Sequence, residues 1–332
     1  MASQDTRDDD LLLYQIAKMY YIDGLSQDAI ASAINFSRSY VSRLLDKAKS
    51  RKLVTFTVIN PLEQTIDGLT SRLRSLYGLK FVAVEGISSS EYQGISGRSL
   101  IESIANKAAA CLPELLETSR AVAVGFGETI YHMSKALQAE RRFGNTLVMP
   151  AIGTTVTTSP QTQSNIIVDN ISSALGSRRY FTNVPIVVDK AEAQSALYQK
   201  RYAELSRIWE AVDTAILGLG APYHTSSDPF SLNEATEEYR ALVASSDVVG
   251  DILASFFFED GTELDLGDDY IRNTLCLDRL KSIDRVICVA GGPRKVRGIW
   301  SALRNGLINC LITDSMTASA IIALEEERAP RL

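Results

Sequence analysis

Two sets of residues in this 332-residue chain have types and spacing suited to specific chemistry. The first lies in residues 25–52, LSQDAIASAINFSRSYVSRLLDKAKSRK, where Arg38, Arg43, Lys47, Lys49, Arg51 and Lys52 stand against Asp46. Guanidinium, ammonium and hydroxyl groups crowded on one short helix can bind phosphates and read base edges. The second set is a series of small or polar turns that follow apolar runs: Gly125-Phe126-Gly127-Glu128-Thr129, Gly153-Thr154-Thr155, Gly218-Leu219-Gly220, Gly291-Gly292-Pro293-Arg294-Lys295 and Thr313-Asp314. Turns of this kind at the carboxyl ends of strands let a ligand approach the backbone and meet the free amides of helix N-termini. Lys295 can add a positive charge there, and Asp251 or Asp314 can accept hydrogen bonds from sugar hydroxyls.

The elements that must carry the first set are two capped helices. Ser26 is a good N-cap for a helix running to Ile34, Asp28 suits its positive end, and Leu25 can staple onto Ile30. Ser37 repeats the device with Phe36 before it and Val41 after it, and Asn35 tolerates the conformation that a tight turn needs. Val41, Leu44, Leu45 and Ala48 recur at the spacing of a buried stripe, which turns Ser39, Ser42 and Arg43 outward. Ser26, Gln27, Ser37, Arg38, Ser39, Tyr40, Ser42, Arg43 and Lys47 are therefore the candidate contacts to double-stranded DNA. The chain as a whole carries a net charge of −6, so this basic island is a local feature. Residues 11–22 have helical spacing at Leu12, Ile16, Met19 and Tyr20 and supply a supporting first helix, closed by Gly24.

After the motif, Val54, Phe56 and Val58 alternate like a strand, and 62–77 places Leu62, Ile66, Leu69, Leu73 and Leu76 on one helical face. That face needs a dimer partner or the next domain to cover it. From Phe81 onward, apolar runs at 81–84, 121–124, 147–149, 186–188, 215–217, 286–289 and 310–312 mostly precede helical periodicity. This predicts a mostly parallel α/β sheet with helices on both faces.

Composition narrows the function classes. With 45% hydrophobic and 22% charged residues the chain is an ordinary globular protein with room for two or three domains. No targeting segment or membrane span is evident, and Cys111, Cys276, Cys288 and Cys310 lack metal-ligand spacing, which fits reduced thiols in a cytoplasm. GFGETI lacks the dinucleotide fingerprint and no P-loop occurs, so nucleotide binding is disfavoured and no cofactor is expected. Of the two histidines, His132 follows Thr129 in a helix and His224 sits in a loop. Neither joins a recognisable nucleophile or metal motif. Lys295, Asp251 and Glu128 could do acid–base work on a sugar phosphate, but a DNA-reading module beside them favours binding without turnover.

Over nearly all of its length after residue 10, the chain resembles the SorC family of sugar-responsive bacterial regulators. The resemblance rests on LSQDAIASAINFSRSYVSRLLDKAKSRKLV, VGFGETIY, VGDILASFFFEDG and VICVAGGPRKVRGIWSALRNGLINCLITDSMTA. It implies an effector domain related in fold to sugar-phosphate isomerases and glucosamine-phosphate deaminases, kept as a sensor in a homodimer or homotetramer. It also implies that Gly125, Gly127, Glu128, Thr129, Gly153, Thr154, Thr155, Asp251, Leu253 and Lys295 border the effector, to which the physical reading of the turns adds Gly291 and Gly292. Relatives often carry tryptophan and a basic residue in the first of these turns, where this chain has Phe126 and Glu128. An inward carboxylate there would repel phosphate and favour a neutral sugar or polyol.

The expected organisation is a disordered acidic stretch at 1–10, a small all-α helix-turn-helix DNA-binding domain at 11–60, a linker helix at 61–79, and a sugar-binding and oligomerisation domain at 80–332. The expected function is a transcriptional repressor or activator, not an enzyme, whose hold on operator DNA answers to a sugar, polyol or sugar phosphate. The alternatives are an isomerase or deaminase with an accessory helical domain, and a protein-binding helical hairpin on a metabolic sensor.

Overall fold

A computed structural model describes residues 2–55, 63–88, 92, 96–154, 163–222, 237–265, 267 and 270–328. The chain divides into two compact units, Met1–Pro61 and Leu62–Leu332.

The first unit is helical: α1 spans Ala2–Tyr21, α2 Gln27–Ala33 and α3 Arg38–Ser50. Leu13, Ile16 and Ala17 of α1, Ile30 and Ala31 of α2, and Val41, Leu44, Leu45 and Ala48 of α3 form one buried core. The centre of the α1 stripe is Leu13 rather than Leu12, which is only partly buried. Gly24 at φ +71° and Asn35 at φ 55° occupy the left-handed backbone region that lets the chain turn after α1 and after α2. Residues 2–10, expected to be disordered, instead continue α1. The stretch has no glycine or proline to stop a helix. Phe56 and Val58 of the expected strand lie outside the described residues.

The second unit opens with α4, Glu63–Tyr77, and then alternates strands and helices. The strands are β1 Phe81–Glu85, β2 Ala121–Val124, β3 Leu147–Pro150, β4 Arg178–Arg179, β5 Val187–Asp189, β6 Thr214–Leu217, β7 Gly250–Ile252, β8 Ser255–Phe257, β9 Tyr270–Arg272, β10 Arg285–Val289 and β11 Cys310–Asp314. The helices that follow α4 are α5 Gly97–Leu115, α6 Glu128–Ala136, α7 Ser164–Leu175, α8 Lys190–Ala193, α9 Ala196–Glu210, α10 Glu237–Ser245, α11 Leu277–Leu280, α12 Val296–Arg304 and α13 Ser315–Arg328.

Seven strands form one sheet in the order β1-β11-β10-β6-β2-β3-β4, parallel at every pairing. Successive side chains alternate between two cores. Val82, Val84, Ala123 and Leu217 pack with α4, α9, α12 and α13, whereas Ala83, Val122, Val124 and Ile216 pack with α5, α6 and α7. Burial on both faces explains why these strands read as unbroken apolar runs.

The run at 186–188 is a correction to the expected sheet. It contributes to β5, which pairs antiparallel with β9 outside the main sheet, and the edge of the main sheet beside β3 is formed by the exposed pair Arg178–Arg179. An edge strand two residues long needs no apolar face.

The face of α4 is covered within its own unit. Leu73 is fully buried, Ile66 and Leu69 pack on the same core, and Leu62 lies outside the described residues. Tyr77 donates its hydroxyl to Glu325 at 3.0 Å, and Arg72 pairs with Glu326 at 3.2 Å, so α4 is tied to α13. Trp300 adds an indole N–H to the same Glu325 carboxylate at 2.7 Å.

Candidate functional site

The exposed face of α3 is organised from its first turn. Ser37 Oγ accepts the Tyr40 amide at 3.2 Å and lies 3.1 Å from Ser39 Oγ. Ser26 caps α2 in the same way, accepting the Ala29 amide at 3.2 Å, and Gln27 begins that helix half-buried. Phe36, which on the spacing would staple to Val41, is 44% exposed and sets its ring 4.9 Å from Tyr40. The Arg43 guanidinium lies 5.6 Å from the same Tyr40 ring.

A cation held over an aromatic face loses part of its rotamer freedom before any partner arrives. Arg38, Ser39, Arg43 and Lys47 are exposed on this helix, and Ser42 is half-buried. Arg38 reaches back to Asp28 of α2 at 3.8 Å, while Asp46 is drawn to Lys49 at 3.6 Å, which offsets its repulsion toward a phosphate.

The second unit holds a cavity of about 190 Å³. It sits where the sheet order reverses. From β2 the chain proceeds outward through β3 and β4, while from β6, the neighbour of β2, it proceeds the other way through β10 and β11. Such a switch point leaves a crevice beyond the strand ends, because the two connections diverge to opposite sides. The lining is Ile101, Phe126, Gly127, Glu128, Thr129, Ile130, Gly218, Leu219, Gly220, Asp251, Leu253 and Lys295.

Gly127, at φ +116°, is the N-cap of α6 and aims the helix start at the crevice. Glu128 is the first residue of that helix, and its carboxylate lies 3.9 Å from His132 one turn on. Asp251, only 9% exposed, is anchored through its backbone: Gly220 and Asp251 exchange N–H···O bonds of 2.8 and 3.1 Å. Lys295 ends the 3₁₀ turn that follows β10. Burial pushes the Cys288 thiol on β10 up to about 12, with the Lys295 charge opposing that rise.

Beside Asp251 the β7–β8 hairpin turns through Leu253 at φ 55° and Ala254 at φ 61°. A two-residue hairpin with both central residues left-handed is normally built from Asn-Gly or Gly-Gly. Here both residues carry side chains and are buried, 5% and 6% exposed, and Arg272 donates to the Ala254 carbonyl at 2.8 Å. Strain of this kind persists where the surroundings over-determine it and collects at ligand sites.

Of the sequence-expected effector residues, Gly127, Glu128, Thr129, Asp251, Leu253 and Lys295 come together in this cavity. The others take different places. A Cβ on Gly125 would sit 3.1 Å from Leu253 Cδ2, so this glycine makes room for the Leu253 side chain in the cavity wall. A Cβ on Gly153 would fall 2.6 Å from the Pro185 carbonyl oxygen, and Thr154 bonds to Val184, so this turn packs backbone on backbone. Gly291 leaves room for the Asp314 carboxylate, and Gly292, at φ +104°, donates to Thr317 Oγ1 at 2.7 Å. Asp314 caps α13, accepting the Met316 and Thr317 amides at 3.0 and 2.8 Å and the Thr317 hydroxyl at 2.6 Å. Thr155 and His224 lie outside the described residues.

Ile101 is a lining residue that motif reading missed, because a helix position enters the cavity only through the strand order. Among the described residues no cluster of three or more His, Cys, Asp or Glu side chains could hold a metal ion. Among them, too, no helix is long and apolar enough to cross a membrane.

Comparison with known proteins gives consistent matches. Residues 60–323 match the family described as "Putative sugar-binding domain". The chain is 28% identical over 317 residues to the deoxyribonucleoside regulator of Bacillus subtilis, covering 95% of this chain and 98% of that one. It is 23% identical over 320 residues to the sorbitol operon regulator of Klebsiella pneumoniae, covering 96% and 99%. The crystal structure of full-length SorC, the Klebsiella pneumoniae sorbitol operon regulator, superposes with a TM-score of 0.71 at 22% identity, covering 94% of this chain and 98% of that one. The parallel sheet and the preceding helical unit thus share their fold with that structure, and the chain belongs to the SorC family of sugar-binding bacterial regulators.

Proposed function

We propose that this chain is a DNA-binding transcriptional regulator whose hold on operator DNA is set by a small sugar, polyol or sugar phosphate in the switch-point cavity, and that it governs carbohydrate catabolism genes. The observation that carries the reading is the division of labour between the two compact units. One presents a capped helix with exposed Arg38, Arg43 and Lys47, and the other encloses a small cavity with Asp251 and Lys295 in its wall. The named relatives, regulators of deoxyribonucleoside and sorbitol genes, support the same assignment.

Two DNA-reading units are needed to span two half-sites, so the working form is a homodimer or homotetramer in the cytoplasm. Regulation requires the effector to favour one arrangement of those units over the other, since equal affinity for both shifts nothing. The protein binds its effector without turning it over. Thermal-shift screening against sugars, polyols and their phosphates, followed by gel-shift titration on DNA upstream of the chain's own gene cluster, tests the proposal. A compound that both stabilises the protein and changes its DNA affinity is the expected result. Conversion of that compound to product during incubation would favour a sugar-phosphate isomerase or deaminase instead.

A further inference from the structure

Resting on that reading of the cavity, we infer that the effector is a single neutral polyhydroxyl molecule, an unphosphorylated monosaccharide or open-chain polyol, rather than a sugar phosphate. Charge and size both lead there.

The cavity wall combines two carboxylates, Glu128 and Asp251, with one ammonium group, Lys295. A phosphate monoester brings about −1.5 to −2 charges at neutral pH. Among the described lining residues it would meet one cation and two anions, in a site partly shielded from water, where like charges repel more strongly than in bulk solvent. Lys295 could hold one phosphate edge, but it could not offset both carboxylates as well.

The helix start in the cavity carries a negative side chain of its own. In a switch-point crevice a phosphate is expected at a helix N-terminus, on the free amides of the first turn. In α6 that first turn carries its own negative charge, because Glu128 is the first helical residue after Gly127. A carboxylate in the first turn lowers the attraction that the positive helix end holds for an incoming phosphate.

Neutral hydroxyls suit the same groups. Ionised carboxylates are acceptors only, so Glu128 and Asp251 can take hydrogen bonds from hydroxyl donors, while Lys295 donates to hydroxyl or ring oxygens. The apolar side chains of Phe126 and Leu253 in the wall can cover the carbon faces of the ligand. The volume fits a molecule of this size. A dry cavity of about 150 Å³ takes up benzene, so about 190 Å³ accommodates one ring or a chain of five or six carbons.

The test uses the full-length protein and matched pairs: glucitol, mannitol, arabinitol, fructose, glucose and ribose, each beside its terminal phosphate monoester. Melting temperature and release from operator DNA are the two readouts. At least one unphosphorylated compound should stabilise the protein and alter DNA binding, with its phosphate weaker by about tenfold or more, the effect of like charges placed close together. A phosphate that binds while its parent does not would overturn this inference and leave sugar-controlled DNA binding standing. Failure of every pair to bind would overturn both. Glu128→Gln provides the second arm, since this side chain is 40% exposed at a helix end and its loss spares the core. The variant should gain affinity for the phosphate relative to the parent compound by about tenfold. An unchanged ratio would remove Glu128 from the selection of charge.

Discussion

Gly220 and Asp251 form a two-way backbone bridge, with the Gly220 amide donating to the Asp251 carbonyl at 2.8 Å and the Asp251 amide donating back at 3.1 Å. A Cβ built on Gly220 would stand 2.9 Å from Asp251 Oδ2. The bare backbone at residue 220 is therefore what lets the carboxylate occupy its place in the cavity wall. Gly220→Ala should displace it and destabilise the fold by about 1 kcal/mol, the low end of the cost of overpacking. Effector affinity measured by calorimetry should drop, while effector-free DNA binding stays at the wild-type level.

Arg43→Ala should weaken operator binding by about 1–3 kcal/mol if its guanidinium reads a base edge. The measurement is a gel-shift titration on specific and scrambled DNA. Equal loss on both would assign Arg43 to the phosphate backbone instead.

Lys295→Ala should leave effector-free DNA binding intact and blunt the response to effector. Circular dichroism and operator titration with and without ligand separate this from a structural role. Loss of the fold together with DNA binding would show that Lys295 serves the turn after β10.

Ala254→Gly should stabilise the protein by about 0.5–1 kcal/mol, because a left-handed conformation costs an L-residue about 1–2 kcal/mol and glycine avoids most of that cost. Urea denaturation gives the sign. A freer hairpin tip should also hold Leu253 less firmly, so effector affinity is expected to fall as stability rises.

Burial holds the Cys288 thiol protonated up to about 12 and that of Cys310 up to about 11, against an ordinary value of 9.0. A thiol with a raised value in the folded state deprotonates first in the unfolded chain. Its contribution to stability is complete below pH 9 and is lost as pH climbs toward 11 and 12. The urea midpoint should accordingly decline above pH 9, and Cys288→Ala should flatten that decline. At neutral pH, iodoacetamide should label the exposed Cys276 well before either buried thiol, as read by mass spectrometry.

Much of the first unit was legible because its determinants are local. Ser26 and Ser37 cap helices within three residues of themselves, and the stripe from Val41 to Ala48 needs only helical spacing. The buried strands of the sheet were legible for a related reason, since burial on both faces leaves an apolar run. The edge pair Arg178–Arg179 carries no such signal, and the run at 186–188 could not reveal that its partner would be β9.

The cavity was half legible. Lys295, Asp251 and Glu128 have chemistry that points to a ligand, but glycines do not declare what they make room for. Gly127 aims a helix, whereas Gly153 and Gly291 admit the Pro185 backbone and the Asp314 carboxylate. Leu253 carried weight in the sequence only through resemblance, and its physical distinction is a backbone angle visible only after folding.

The last helix, α13, is gripped at both ends. Near its start Thr317 holds the Gly292 amide of the turn that leads to Lys295, and near its finish Glu325 and Glu326 hold Tyr77 and Arg72 of α4. Its 14 residues span about 21 Å as a nearly rigid rod. The first helix of the second unit, α4, is therefore fastened to the far end of a rod whose near end holds the turn that leads to Lys295.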